Sequence, residues 1–264
     1  MKRVYKDIHE AYLKTLADVY DTPDFISSPR GQKTREKLNV IFTIINPNPT
    51  PIITKCAKRN KVIESYTQKE MDLYESGSNR VEDFEKASKF WGQLANPDGT
   101  INSAYGYLVF VNKSHGNDFE DNLVTISVDP VSQGCIKKHQ KKMRTPWEWC
   151  FESLVKDKDT RQAILRFSLP EHQWMGNKDQ TCTLHGIFLI RDNHLYLTIN
   201  MRSNDLTFGL AYDLPWFVGL LHKMHKDLLP VYPELKIGEY THMVHSLHIY
   251  DRDEDKILRM LGRK

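Results

Sequence analysis

No Cys-x-x-Cys pair occurs in this chain; its four cysteines, Cys56, Cys135, Cys150 and Cys182, are scattered singly. That scatter argues against a zinc site or a disulfide framework and fits a reduced compartment, so the expected localisation is cytoplasmic. Long apolar runs are missing as well: none approaches the roughly 18 residues that a membrane helix needs. The N-terminal Met1-Lys-Arg-Val-Tyr-Lys-Asp-Ile8 lacks the apolar core of a signal peptide. Charge of one sign is not in excess. With 37 basic against 34 acidic side chains the net charge is only +3, which gives no reason to invoke nucleic acid or an acidic membrane. Internal repeats and low-complexity tracts are absent. What is present is ordinary: 264 residues, 40% hydrophobic and 27% charged, enough to bury a core. The expectation is one α+β domain over residues 1–264.

Apolar positions at Val4, Ile8, Tyr12, Leu13, Leu16 and Val19 predict an amphipathic helix over residues 4–20. Residues 26–35 read as a polar loop, with Arg30 and Arg35 able to cradle an anion or merely to be solvated. Residues 39–45 read as a strand, halted by Asn46-Pro-Asn-Pro-Thr-Pro51. Helices are expected over 61–78, carrying Glu70, and over 81–95. A turn leading into a strand is expected over 101–111. Residues 112–146 read as a surface insertion with a strand at 123–128 and a basic run at 137–144. That run is short and has no interleaved aromatics, so a solvated surface explains it better than nucleic acid does. A helix at 147–155 and a strand at 163–167 follow. Later come a helix over 214–229, a strand over 240–250 and a charged helical end.

The strongest local pattern is a hairpin. His185-Gly-Ile-Phe-Leu-Ile190 alternates, Asp192-Asn193 turns, and Leu195 to Met201 alternates again. Cys182 precedes the first strand, and Arg202-Ser203-Asn204-Asp205 follows the second, twenty positions on (202 − 182). Pairing of the strands brings a thiol and a guanidinium to one place. An isolated cysteine is otherwise read as a buried structural residue.

Three ordered stretches resemble the thymidylate synthase superfamily. They are Asp159-Thr-Arg161 before a strand, Cys182 with Arg202-Ser203-x-Asp205 and Gly209-Leu210, and His245-Ser-Leu-His248-Ile-Tyr250. Looser similarity covers residues 65–110 and 147–252. The resemblance implies a mixed sheet flanked by helices and a homodimer paired through sheet faces. It also implies a pyrimidine nucleoside monophosphate substrate and 5,10-methylenetetrahydrofolate as one-carbon donor. By position it makes Cys182 the nucleophile, Glu70 the proton-handling acid and Tyr105 part of its water network. Arg202, Ser203, Arg161 and either Arg30 or Arg35 would meet the phosphate, and His248 and Tyr250 the sugar. Trp91, Asp205 and Gly209 would meet the folate. The family's second phosphate-binding arginine beside Arg161 is here Gln162, one charge fewer.

Other departures refine the expectation. Asp213 stands where the family carries a pyrimidine-reading asparagine, and Thr183 where a histidine usually follows the nucleophile. Both, with Met201-Arg-Ser-Asn-Asp205, are similar to the phage branch that makes 5-hydroxymethyl-deoxycytidylate. A carboxylate accepts from the amino group of cytosine. Against O4 of uracil it sets acceptor against acceptor, a clash worth roughly 1–3 kcal/mol. Asp213 read without the motif is a helix cap before Pro215. Action on dUMP, to a methyl or hydroxymethyl product, is the alternative activity. The family's closing tail is expected to be short, with 14 residues after Tyr250 (264 − 250).

Overall fold

The computed structural model describes residues 3–113, 123–124, 139–140 and 144–264. Strand β1 (Arg3–Tyr5) leads into helix α1 (Ile8–Asp21). The Asp7 carboxylate caps α1 by accepting from the amides of His9 at 3.0 Å and Glu10 at 2.9 Å. The expected helix over 4–20 therefore starts later, because Val4 and its neighbours pair in parallel with strand β3 (Thr34–Ile44). Between them β2 (Phe25–Ser27) folds back on β3, so the expected loop at 26–35 is half hairpin. Its turn at Pro29–Gly31 holds Arg30 at φ 53° and Gly31 at φ 76°.

Helix α2 (Ala57–Ser76) ends at Gly77, whose φ of 67° suits a left-handed cap. α3 (Val81–Ala87) stops at an extended Ser88, and a separate 3₁₀ turn over Lys89–Gln93 carries Trp91. The single helix expected over 81–95 is thus broken. Where a strand was expected over 101–111, the chain forms helix α4 (Tyr105–Phe110). Packing overrides β propensity here. A Cβ on Gly106 would lie 1.8 Å from the Tyr74 carbonyl oxygen, so α4 meets α2 backbone to backbone. Tyr105 then stacks within 5.6 Å of Tyr74.

Two short strands, β4 (Leu123–Val124) and β5 (His139–Gln140), pair antiparallel. Most of the expected insertion at 112–146, including nearly all of the basic run, lies outside the described residues. Helix α5 (Pro146–Lys156) opens with a Thr145/Glu148 capping box and Pro146 in its first turn. β6 (Ile164–Arg166), β7 (Thr183–Arg191) and β8 (His194–Met201) form an antiparallel meander. Asp192 and Asn193 turn between the last two with φ of 48° and 56°, as a two-residue hairpin requires.

β9 (Asn204–Asp205), helix α6 (Leu210–Leu228), the long β10 (Lys236–Tyr250) and α7 (Glu254–Met260) complete the chain. The mixed sheet runs β1-β3-β10-β8-β7-β6, with β10 antiparallel to β3 and parallel to β8. Nearly every side chain of α6 but the polar few is buried, and each such Leu or Phe contributes roughly 1.5–3 kcal/mol. Alternate side chains of the strands face away from this core, among them Ile41, Thr198, Thr241 and Met243, and are half-buried or exposed. Among the described residues no helix is long and apolar enough to cross a membrane.

Candidate active site

The register of β7 on β8 pairs Thr183 with Met201, which sets the residues just outside the pair, Cys182 and Arg202, side by side. The Arg202 amide donates to the Cys182 carbonyl at 2.9 Å. Its guanidinium is held by the carbonyls of Thr181 at 3.1 Å and Gln180 at 2.6 Å, and Nη2 lies 3.6 Å from the Cys182 sulfur. The Ser203 hydroxyl is 3.7 Å from the same sulfur. Burial pushes the Cys182 thiol up, and although Arg202 and Ser203 pull it down, the charges of Asp213 and Asp179 oppose them. Arg202 thus lies beside the Cys182 sulfur, yet its charge does not by itself make a thiolate.

The other end of the site is lined by acids. Glu70 projects from the middle of α2 and is 8% exposed. Burial raises its pKa to about 8, the charge of Asp213 adds to this, and hydrogen bonds with Tyr66 and Tyr74 work against it. Tyr66, Glu70 and Tyr74 share a face of α2 at intervals of four residues. Asp213 sits in the first turn of α6, with Gly209 and not Asp213 at the cap position. That removes the reading of Asp213 as a helix cap. Burial raises the Asp213 carboxyl to about 7, while a hydrogen bond from Asn204 lowers it and the Asp205 charge raises it.

Tyr105 joins the two ends. Its hydroxyl accepts from Thr183 Oγ1 at 2.9 Å and lies within reach of the charges of both Asp213 and Cys182. Cys182, Tyr105, Glu70 and Asp213 therefore converge on one place. Such a place offers a thiol, two acids titrating near neutrality and a phenol network. That set suits covalent addition coupled to proton transfer.

The remaining candidates divide. His248 and Tyr250 lie on one side of β10 with ring centroids 5.4 Å apart, and His248 is in register with Asp205 of β9. Asp205 Oδ1 accepts from the Thr207 amide at 2.7 Å and hydroxyl at 2.9 Å. Trp91 donates from Nε1 to the Tyr66 hydroxyl at 3.1 Å, and Tyr66 packs on Tyr212 at 4.6 Å, so an aromatic wall runs from Trp91 to Tyr212. A Cβ on Gly209 would meet Asn204 Oδ1 at 2.4 Å and Asp205 O at 2.9 Å, which excludes any side chain there. Arg30 and Arg161 are both exposed, on the β2–β3 turn and the loop before β6.

Of the two N-terminal candidates for an anion, Arg35 is tied to Asp251 at 3.3 Å and Glu254 at 3.0 Å and lies 4.5 Å over the Tyr20 ring. Its charge is already matched within the chain. Unanticipated in the sequence are Tyr66, Tyr74, Asn204 and Asp179. The four-residue spacing around Glu70 is a signal for the two tyrosines; nothing local marks Asp179, whose carboxylate is gripped by the amide and hydroxyl of Ser103. Among the described residues no cluster suited to a metal ion is found.

A family model described as thymidylate synthase matches residues 10–264. The deoxycytidylate 5-hydroxymethyltransferase of Enterobacteria phage T6 is 29% identical over 236 residues, covering 87% of this chain and 80% of its own. The deoxyuridylate hydroxymethyltransferase of Bacillus phage SP01 is 27% identical over 246 residues, covering 91% of this chain and 56% of its own. Among solved structures, thermostable thymidylate synthase A from Bacillus subtilis superposes with a TM-score of 0.64 at 17% identity, covering 97% of this chain and 84% of its own. That last likeness speaks for the fold alone.

Proposed function

Because the chain belongs to the thymidylate synthase family, we propose that it transfers a one-carbon unit to C5 of deoxycytidine or cytidine monophosphate, with water completing a 5-hydroxymethyl product. The observation that carries this reading is the Asp213 carboxyl, whose charge acts on both the Cys182 thiol and Glu70. The similarity to a phage deoxycytidylate enzyme over most of the chain supports it.

In this reading Arg202 and Ser203 hold the 5′-phosphate, with Arg30 and a partner protomer's Arg161 completing the cradle in a homodimer joined through the open sheet face. His248 and Tyr250 hold the sugar hydroxyl. As the Cys182 sulfur bonds to C6 of the base, the C5=C6 electron pair moves toward N3 and leaves C5 nucleophilic. Asp213 accepts from the exocyclic amine and shares a proton with N3 as that charge develops. The base then presents two N–H donors to a carboxylate. Glu70, with Tyr66, Tyr74 and Tyr105, orders water and moves protons at the base, a task suited to an acid titrating near neutrality. Loss of the C5 proton and expulsion of the Cys182 sulfur from C6 regenerate the enzyme.

The one-carbon donor of this family is 5,10-methylenetetrahydrofolate, which when bound supplies a methylene at the oxidation level of formaldehyde. The residues fit a pterin: the Trp91–Tyr66–Tyr212 wall offers flat apolar surface, and Asp205, whose charge reaches Tyr212, offers a carboxylate for ring N–H donors. Gly209 keeps the approach to Asp205 clear.

A second reading is turnover of dUMP, favoured by one fact. A carboxyl titrating at about 7 is partly protonated, and a neutral acid presents the donor and acceptor that an amide would. Incubation with C5-tritiated dCMP, dUMP and CMP, each with methylenetetrahydrofolate, separates the readings. Tritium release and a 5-hydroxymethyl mass from a cytidylate are expected, falling by roughly 10⁴-fold or more in Cys182→Ala. Release from dUMP alone rejects the first reading, and release from none rejects both.

A further inference from the structure

The segment that delivers the sulfur, residues 177–182, belongs to no helix or strand, so side chains do for its backbone what a ladder does elsewhere. Asp179, only 5% exposed, is its anchor. Both of its carboxylate oxygens go to one residue: Oδ2 accepts from the Ser103 amide at 2.7 Å and Oδ1 from the Ser103 hydroxyl. The main chain of Asp179 is held as well. Its amide donates to Asn177 Oδ1 at 2.9 Å, and its carbonyl accepts from Asn102 Nδ2 at 3.2 Å. Asn102 in turn accepts from Asn96 Nδ2 at 2.7 Å. Two residues beyond Asp179, Thr181 Oγ1 lies 3.2 Å from Nδ1 of the buried His172.

These bonds fix the two carbonyls that lie between Asp179 and Cys182. Gln180 O and Thr181 O carry the Arg202 guanidinium through Nη2 and Nε. A guanidinium seated on main-chain carbonyls is placed no better than the main chain beneath it. The far side of the latch matters too. Ser103 stands two positions before Tyr105 (105 − 103), at the entry to α4. One carboxylate therefore joins the segment bearing the sulfur to the segment bearing the phenol. Its charge opposes ionisation of the Cys182 thiol, so acidity of the thiol is not what it supplies. What it supplies is a two-pronged, charge-assisted grip on Ser103.

We propose that Asp179, latched onto Ser103, is a positioning residue that seats the Gln180 and Thr181 carbonyls beneath Arg202 and so holds that cation beside the Cys182 sulfur. This rests on the reading of Cys182 as the nucleophile and Arg202 as a phosphate ligand. The charged and titratable groups that face the sulfur are Arg202, Asp213 on α6, Asp179 and Tyr105 on α4; Asp179 itself faces His172. Of these charges, that of Arg202 alone favours the thiolate, so loosening it is read directly at the thiol.

The test uses the whole chain. Ser103→Ala deletes one oxygen of the latch at a half-buried position and leaves every charge in place; Ser103→Thr restores the hydroxyl. In the ligand-free protein, alkylation of Cys182 by iodoacetamide is followed on its own peptide by mass spectrometry. Its pH midpoint is expected to rise by about half a unit in Ser103→Ala and to return in Ser103→Thr. KM for dCMP is expected to rise about threefold to tenfold in Ser103→Ala. Both effects are expected to vanish when Ser103→Ala is made in an Arg202→Ala chain, because the latch acts through that cation. An unchanged midpoint in the folded Ser103→Ala protein would overturn the proposal. So would an equal shift in the Arg202→Ala background, which would make the latch a staple of the fold alone. The alkylation arms need no substrate, so they stand even where the wild type turns over no cytidylate, an outcome that sinks only the proposed function.

Discussion

The two ends of the site obey different electrostatics. At the sulfur end, Arg202 is exposed and its N–H groups rest on main-chain carbonyls, so its charge is permanent and its position rigid. At the acid end, Glu70 is buried and Asp213 half-buried, each acid's charge reaches neighbouring tyrosines, and each has been pushed toward neutrality. Exposure lets one end keep a fixed charge; burial makes the other exchange protons in the physiological range. A phosphate needs the first kind of environment, and a base whose ring changes charge during reaction needs the second. The division of labour is a division of dielectric.

Replacing Glu70 strikes the proton-exchanging end hardest. Glu70→Gln keeps the shape and the acceptor for Tyr66 and Tyr74 but cannot titrate. Turnover, read as kcat for tritium release, is expected to fall by roughly 10²–10⁴-fold with KM changed little. An equal loss in KM instead would make Glu70 a binding group and erase the contrast. The pH profile adds a second readout: the limb set by an acid titrating at about 8 should vanish from kcat in the variant.

The sulfur end was legible in the sequence because pairing two adjacent strands is a local event. A hairpin with an Asp192-Asn193 turn fixes its own register, and the register fixes which residues meet at the open end. The face of α2 bearing Glu70 follows from helical periodicity in the same way. What escaped was set by contacts distant in sequence. Arg30 and Arg35 look alike on paper, but Arg35 is claimed by Glu254, 219 positions later. Helix α4 reads as a strand because Val, Leu and Phe suit either state, and only the close crossing at Gly106 settles it. Asn204 was visible as a letter in a motif; its link to His242, 38 positions on, was not.

Arg202→Ala tests the permanent-charge end. Loss of a charge-assisted contact to phosphate is worth roughly 1.5–3 kcal/mol, so KM for the nucleotide should rise about tenfold to a hundredfold. Because Arg202 also lowers the Cys182 thiol, iodoacetamide alkylation at fixed pH should slow in the variant. Arg35→Ala is the control, since its charge is spent within the chain: KM should stay within about twofold while stability drops by less than about 1 kcal/mol. A KM effect at Arg35 equal to that at Arg202 would mean the ion-pair cluster opens to substrate.

The smallest effect concerns stability and shows what holding an acid in this pocket costs the fold. The folded Asp213 carboxyl titrates at about 7 against 3.8 in an exposed chain, and the folded value is the higher one. Below about pH 4 both states are protonated and the pocket is tolerated without penalty. As pH rises toward 7 the unfolded chain releases its proton first, so stability is lost progressively over that window. Asp213→Asn is neutral throughout and escapes the loss. The variant and the wild type should melt alike at pH 4, and at pH 8 the variant should be the more stable by on the order of 1–2 kcal/mol, or about 2–6 °C in Tm. Glu70→Gln should behave similarly, with its window shifted upward toward 8. A difference in Tm that is the same at both pH values would mean that the Asp213 carboxyl is solvated as freely as the groups around Arg202, and the contrast between the two ends would collapse.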